Sequence, residues 1–350
     1  MKPETFIILT PGFPKSEADS TCLPSQQLFT KILKQHNPSL NIVVLTFEYP
    51  LSTKIYNWHN CQVIPFGGKT KTKISRLILW RKVWNKLSQL NKDNYITGLL
   101  SFWCGECALI GHRYGEKNRI KHACWILGQD AKAGNKYVTR IRPKPGELIA
   151  MSDFLQEAFF KNHTIRPAYV IPNGIDPDMF GEKQLKREID ILGAGSLIPL
   201  KQFDVFLSII KLLKTFDPAI KAVICGKGTE EHSLLKIIET NGLKGNVKLV
   251  GEQPHSELLN IMGRSKVFLH TSNYEGFSTV CLEALYAGCK VISFMKPMKD
   301  DIEQWYIVNN KEAMTQKILT LLNDPVPTYS SVLLYSMAES VKKIRDLYYS

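Results

Sequence analysis

Two carboxylates, Glu275 and Glu283, flank the stretch Gly276-Phe277-Ser278-Thr279. Ser278 and Thr279 are residue types that open helices. The unpaired amides and partial positive charge at a helix start make a seat for phosphate, and Gly276 lets the backbone come close to a bound group. Glu275 would lie just before that helix and Glu283 a turn inside it. A carboxylate so placed accepts hydrogen bonds from vicinal hydroxyls, as the acidic residue of dinucleotide folds does for ribose. Together these features describe a site for a phosphorylated sugar nucleotide. The same spacing also fits an ordinary βαβ unit with two surface acids.

Such residues need a frame. Val267-Phe268-Leu269 before them and Val291-Ile292-Ser293-Phe294 after them are short apolar runs of the kind that form buried strands. Between lies a helix carrying Cys281, Leu282, Ala284, Leu285 and Ala287, closed by Gly288 in the left-handed conformation. Upstream, Asp190–Gly195 reads as a strand, Phe203–Leu213 as a helix, Ala219–Cys225 as a strand, Glu231–Glu239 as a helix, Val247–Val250 as a strand and Pro254–Met262 as a helix. Downstream come Trp305–Val308 as a strand, Ala313–Leu322 as a helix and a last amphipathic helix over Val332–Tyr348. The first half opens the same way. Strands are expected at Phe6–Leu9, Ile42–Phe47, Gly98–Trp103 and His122–Leu127, with Glu147–Met151 as the last of that half. A helix is expected over Ser25–Gln35. This alternation predicts parallel, doubly wound sheets.

Glu275-Gly276-Phe277, then Leu282-Glu283-Ala284 and Gly288, resembles the E-x7-E signature of the retaining GT-B glycosyltransferases of family 4. Three upstream segments resemble the same family in the same order. They are Val170–Asp176 with Phe180, Gly195–Lys201, and Ala222–Gly228. The resemblance spans about residues 168–294 and is weak in the first half. It implies a GT-B fold: two Rossmann-like domains facing each other across a cleft, with a C-terminal helix crossing back to the first. The domains would be 1–172 for the acceptor, 173–330 for the nucleotide sugar and 331–350 for the returning helix.

The resemblance also implies roles. Glu283 would accept bonds from ribose hydroxyls. Gly276, Phe277, Ser278 and Thr279 would present backbone amides to the diphosphate or sugar, and Glu275 would lie near the hydroxyls of the transferred sugar. Lys201 would stabilise charge on the leaving diphosphate. Gly12, Gly195, Ser196, Gly226 and Gly228 complete the expected donor site. Two positions depart from the family pattern. Ser196 stands where Arg is usual, with Lys227 one candidate to compensate. Leu127, before Gly128, stands where His is usual, and Asp130 or Gln129 is expected to take over the contact to the sugar. No metal or other cofactor is implied.

Composition is that of a globular chain, 44% hydrophobic and 22% charged over 350 residues, with no apolar run long enough to span a bilayer. The opening run Phe6–Leu9 is too short for a signal-peptide core. The expected location is the cytoplasm, either free or peripherally on the cytoplasmic membrane face. Eight cysteines in such a chain are not a disulfide scaffold. Cys104-Gly105-Glu106-Cys107 is a lone C-x-x-C without the second pair a zinc site needs; a redox role is its other reading.

Residues 1–150 hold 22 Lys and Arg against 9 Asp and Glu, while the remaining 200 hold 23 against 23. The whole excess, +13, sits in the first half and points to an anionic partner there. Lys69–Leu90 concentrates it. On a helical wheel Leu79, Trp80, Val83, Trp84, Leu87 and Leu90 share one face and Arg81, Lys82 and Lys86 the other. That is the profile of a helix on an anionic membrane surface and equally of a helix packed on a sheet. The sequence thus reads as a retaining glycosyltransferase using a UDP- or GDP-sugar and a glycan or lipid-linked acceptor in cell-surface glycan synthesis, with no nucleic acid as partner. The alternatives are a nucleotide-sugar epimerase or phosphorylase of GT-B architecture, or a basic nucleic-acid-binding protein with Trp80 and Trp84 as its stacking residues.

Overall fold

The computed structural model describes residues 2–68, 72–181 and 186–349. The chain divides into two compact units, Met1–Gly174 with Met337–Ser350, and Ile175–Ser336.

The first unit is built on an eight-stranded sheet in the order β3-β4-β2-β1-β5-β6-β7-β8. Its strands are β1 (Glu4–Gly12), β2 (Asn41–Tyr49), β3 (Tyr56–Trp58), β4 (Cys61–Pro65), β5 (Tyr95–Phe102), β6 (His122–Ile126), β7 (Leu148–Ala150) and β8 (Tyr169–Val170). All pair in parallel except β3, which forms a hairpin with β4. The helices are α1 (Pro24–His36), α2 (Lys73–Asp93), α3 (Glu106–Asn118), α4 (Lys136–Ile141) and α5 (Asp153–His163). Ile7, Leu9, Val43, Leu45, Leu99 and Tyr114 lie in its core.

α2 starts six residues before the periodic stretch that predicts it, because Thr72 and Ser75 form a capping box. Leu79, Val83, Leu87 and Leu90 are buried against the sheet, with Trp80 and Trp84 packed beside them. Trp84 sits edge-on to Tyr114 at 5.0 Å. The face expected to meet a membrane is therefore occupied by the protein's own core, and neither tryptophan is offered to a base. The exposed apolar residues of this helix are Ile74, Leu77 and Ile78, near its start. Residues 69–71 of the basic run lie outside those described.

Other expectations for this half need correction. The hairpin β3–β4 adds two strands to those the sequence predicts. Its two-residue turn is His59-Asn60, both at positive φ, as the twist of a tight hairpin requires, but without the glycine that signals such turns. The run at Glu147–Met151 is not the last strand, since β8 pairs outside it. Helix α3 covers Glu106–Asn118, where glycines at 111 and 115 weaken the local helix signal.

The second unit is a six-stranded, all-parallel sheet in the order β11-β10-β9-β12-β13-β14. Its strands are β9 (Ile189–Ala194), β10 (Ala222–Cys225), β11 (Val247–Leu249), β12 (Ser265–His270), β13 (Lys290–Ser293) and β14 (Trp305–Ile307). Helices α6 (Phe203–Leu213), α7 (Glu231–Thr240), α8 (His255–Gly263) and α9 (Thr279–Tyr286) connect successive strands from β9 to β13, and α10 (Lys311–Leu322) follows β14. Ile191, Phe206, Ile210, Ile224, Val267 and Ile292 lie in the core. Strands buried on both faces read as continuous apolar runs, which is why the sequence marks them clearly. α9 ends as expected, with Gly288 at φ +85°.

Helix α11 (Met337–Tyr349) belongs to the first unit. Residues 332–336, expected to be helical, are not; Ser336 bridges to Ile175 instead. Met337, Val341 and Ile344 of α11 are buried. The Tyr348 hydroxyl donates to the Leu99 carbonyl at 2.7 Å, and Arg345 donates to Asn37 Oδ1 at 2.8 Å.

Candidate active site in the second unit

In an open parallel sheet, ligands bind beyond the carboxyl ends of the strands where the strand order reverses. In the second unit the chain runs outward from β9 through β10 to β11, then returns to place β12 on the other side of β9. The reversal lies between β9 and β12. The loop after β9 carries Gly195, Ser196 and Lys201; the loop after β12 carries Glu275 to Ser278.

Lys201 and Glu275 meet there. Lys201 ends a 3-10 turn, Pro199–Lys201, and its Nζ donates to Glu275 Oε2. Thr271 Oγ1 donates to the Lys201 carbonyl at 2.9 Å, tying the two loops together. His270, buried at the end of β12, holds Nε2 3.5 Å from the same Glu275 oxygen and 3.3 Å from the hydroxyls of Ser272 and Ser278. Burial alone would raise the Glu275 pKa, but the His270 hydrogen bond and the Lys201 charge outweigh it and hold the carboxyl at about 2. Burial pushes His270 below the usual histidine value, so a neutral imidazole steadies an ionised Glu275.

Ser278 occupies the N-cap of α9 without making a side-chain cap, its hydroxyl being turned to His270. Phe277 anchors the loop from below, stacked on Trp305 at 6.0 Å and edge-on to Tyr335 at 5.8 Å. Glu283, on the buried face of α9 and only 8% exposed, receives a hydrogen bond from His255 Nε2 to Oε1 at 2.7 Å. That bond raises the His255 pKa, ahead of the opposing effect of burial.

Gly226 and Gly228 follow β10 and lie against the loop after β9. A Cβ on Gly226, at φ +151°, would come 1.9 Å from the Gly195 carbonyl oxygen. One on Gly228 would come 2.3 Å from the Leu197 oxygen. These glycines are dictated by loop-to-loop packing. Leu197 N–H donates to the Lys227 carbonyl at 3.0 Å, which sets the exposed Lys227 next to the exposed Ser196.

Gly12 and Asp130 belong to the first unit. Gly12 is the last residue of β1, paired with Tyr49, and not part of a loop. Asp130, expected at the sugar, is engaged by the backbone. Its Oδ2 accepts from Cys104 N–H at 2.9 Å, and Oδ1 accepts from Gly128 N–H at 2.8 Å and Leu127 N–H at 3.2 Å. This carboxylate clamps the loops after β5 and β6, which argues against it as the catalytic contact. Cys104 and Cys107 are both buried, and burial pushes the Cys107 thiol well above its usual value; that environment disfavours a redox pair. Among the described residues no group of three or more His, Cys, Asp and Glu could hold a metal ion.

The sequence marked Lys201, Glu275 and Glu283 but missed both histidines. His255 lies 28 residues from Glu283 in the chain, and only the packing of α8 on α9 brings them together.

Two doubly wound α/β units, with the last helix returned to the first, define the GT-B glycosyltransferase fold. Residues 175–335, nearly all of the second unit, match the family of glycosyl transferases group 1. One relative is the N-acetylgalactosamine-N,N'-diacetylbacillosaminyl-diphospho-undecaprenol 4-alpha-N-acetylgalactosaminyltransferase of Campylobacter jejuni. It is 26% identical over 258 residues, covering 67% of this chain and 66% of the relative. The chain spans less than half the length of several other curated relatives it matches, 37%, 44% and 34% of three of them. Among solved structures, TarM superposes with a TM-score of 0.72 at 15% identity, covering 100% of this chain and 99% of that one. Anabaena HepE in complex with UDP and glucose gives 0.67 at 16% identity, covering 97% and 94%. Both likenesses are of fold.

Proposed function

We propose that this protein is a retaining glycosyltransferase of the family-4 type. It would transfer a hexose-type sugar from a UDP- or GDP-sugar to a glycan or lipid-linked acceptor in cell-surface glycan synthesis. The observation that carries the reading is the meeting of Lys201 with Glu275 at the strand-order reversal, beside the start of α9. Lys201 has three N–H donors and directs one in a hydrogen bond to Glu275; the others serve the donor diphosphate and the charge that grows on it as the sugar leaves. The amide end of α9 adds to that stabilisation, and Glu275 fixes Lys201 while facing the sugar hydroxyls. Glu283 accepts from the ribose. Lys227, held beside Ser196, takes the place of the arginine usual there. The reading assigns no step to a metal, so turnover is expected to persist in chelator.

The basic first unit holds the acceptor. Exposed Ile74, Leu77 and Ile78 with Lys73, Arg81 and Lys82 form an apolar patch ringed by cations, which suits an anionic membrane surface. Among the described residues no helix is long and apolar enough to cross a membrane. The Campylobacter relative's diphospho-undecaprenol acceptor and the UDP bound to HepE support this choice of substrates.

The direct test is calorimetry with UDP and GDP. Glu283→Ala is expected to weaken nucleotide binding at least about tenfold, the worth of a hydrogen bond to a charged group, with an unchanged circular dichroism spectrum. Wild-type protein that binds neither nucleotide would sink the assignment.

A further inference from the structure

A carboxylate has room for about four hydrogen bonds, and one held away from water needs most of them. Glu283 is nearly buried, with 10% of its side chain exposed, and takes one bond among the described residues, from His255. That partner comes from the first residue of α8, a different helix, and is itself 16% exposed.

We propose that His255 is a positioning residue for nucleotide recognition: it holds Glu283 through Oε1 and leaves Oε2 as the acceptor for ribose hydroxyls. This rests on the reading of Glu283 as the ribose acceptor and goes beyond it. The nucleotide contact becomes a two-residue device spanning α8 and α9, with the histidine not touching the ligand. A merely structural His255, tying one helix to the other, would affect all nucleotides alike. A positioning His255 affects only those with hydroxyls to offer.

The experiment compares UDP and GDP with their 2′,3′-dideoxy forms by calorimetry on the full chain. The wild type is expected to prefer the ribonucleotide by about tenfold or more. His255→Ala should lose most of that preference by weakening the ribonucleotide alone, the dideoxy affinity staying within about twofold. His255→Gln, which keeps a donor, should retain most of it. If the alanine protein does not fold, His255→Asn, polar but too short to reach Oε1, is read the same way. Equal weakening of both nucleotide forms, or an undiminished preference, overturns the proposal. Glu283→Ala separates the two levels. If it abolishes the preference while His255→Ala does not, only the role of His255 fails. If it too leaves the preference intact, the reading of Glu283 fails with it, as it does if the wild type binds neither UDP nor GDP.

Discussion

In the second unit the buried and half-buried charges of the candidate site are closed into pairs. Lys201 is matched by Glu275 and His255 by Glu283, each pair drawn from different loops or helices. In the first unit charge accumulates. Residues 1–150 carry 22 Lys and Arg to 9 acids, and Lys73, Arg81 and Lys82 stand exposed on α2 beside bare aliphatic side chains. Paired charges in a half-buried setting fix directions and distances, and so suit a small ligand of defined shape. An unpaired field over an exposed surface attracts without specifying, which suits a large anionic partner. On the proposed reading the two halves recognise by different physics, and each can be disturbed without the other.

The largest effect is expected from Lys201→Ala. On the proposed reading it removes the cation at the leaving diphosphate and should lower kcat by about 10²–10³, as the loss of one preorganised stabilising group does. Vesicle binding should be untouched; turnover within about threefold of wild type would reject the role of Lys201. On the other side of the comparison, replacing Ile74, Leu77 and Ile78 together by serine should cut sedimentation with anionic vesicles by about tenfold or more, since each buried aliphatic side chain is worth on the order of 1.5–3 kcal/mol. Nucleotide affinity should not change, and equal sedimentation of variant and wild type would refute the membrane surface.

The smallest effect concerns pH. Glu275 ionises at about 2 in the folded protein, below an unfolded value of about 4.3. The pair therefore contributes stability in full above the ordinary carboxylate range and loses it as pH falls through about 2. Glu275→Gln should melt a few degrees below wild type near neutrality, with the gap more than halved at about pH 3. A gap independent of pH would show that the charge is not what stabilises this site.

Much of the second unit is legible because its strands are unbroken apolar runs and its helices are strongly periodic; the periodicity of Phe203–Leu213 gives α6 its limits although no side chain caps its start. The first unit was less so. The His59-Asn60 turn lacks glycine, the glycines of α3 mask its periodicity, and the amphipathic pattern of α2 fits a sheet and a bilayer equally well. Lys201, Glu275 and Glu283 could be picked out by type and spacing. Their histidine partners could not, because His270 reaches Glu275 through the fold of its loop and His255 reaches Glu283 through helix packing. Asp130 shows the converse: a well-placed acid in the sequence proves to be claimed by three backbone amides.

Met337, Val341 and Ile344 fill the interior of the first unit, yet in the chain they follow all of residues 175–336. A ribosome therefore delivers every strand of the later unit before the earlier one receives its closing helix. Domains usually mature in the order of their synthesis. Here the order is inverted, and the half that emerges first must wait, with the seat of α11 uncovered, for the half that emerges second.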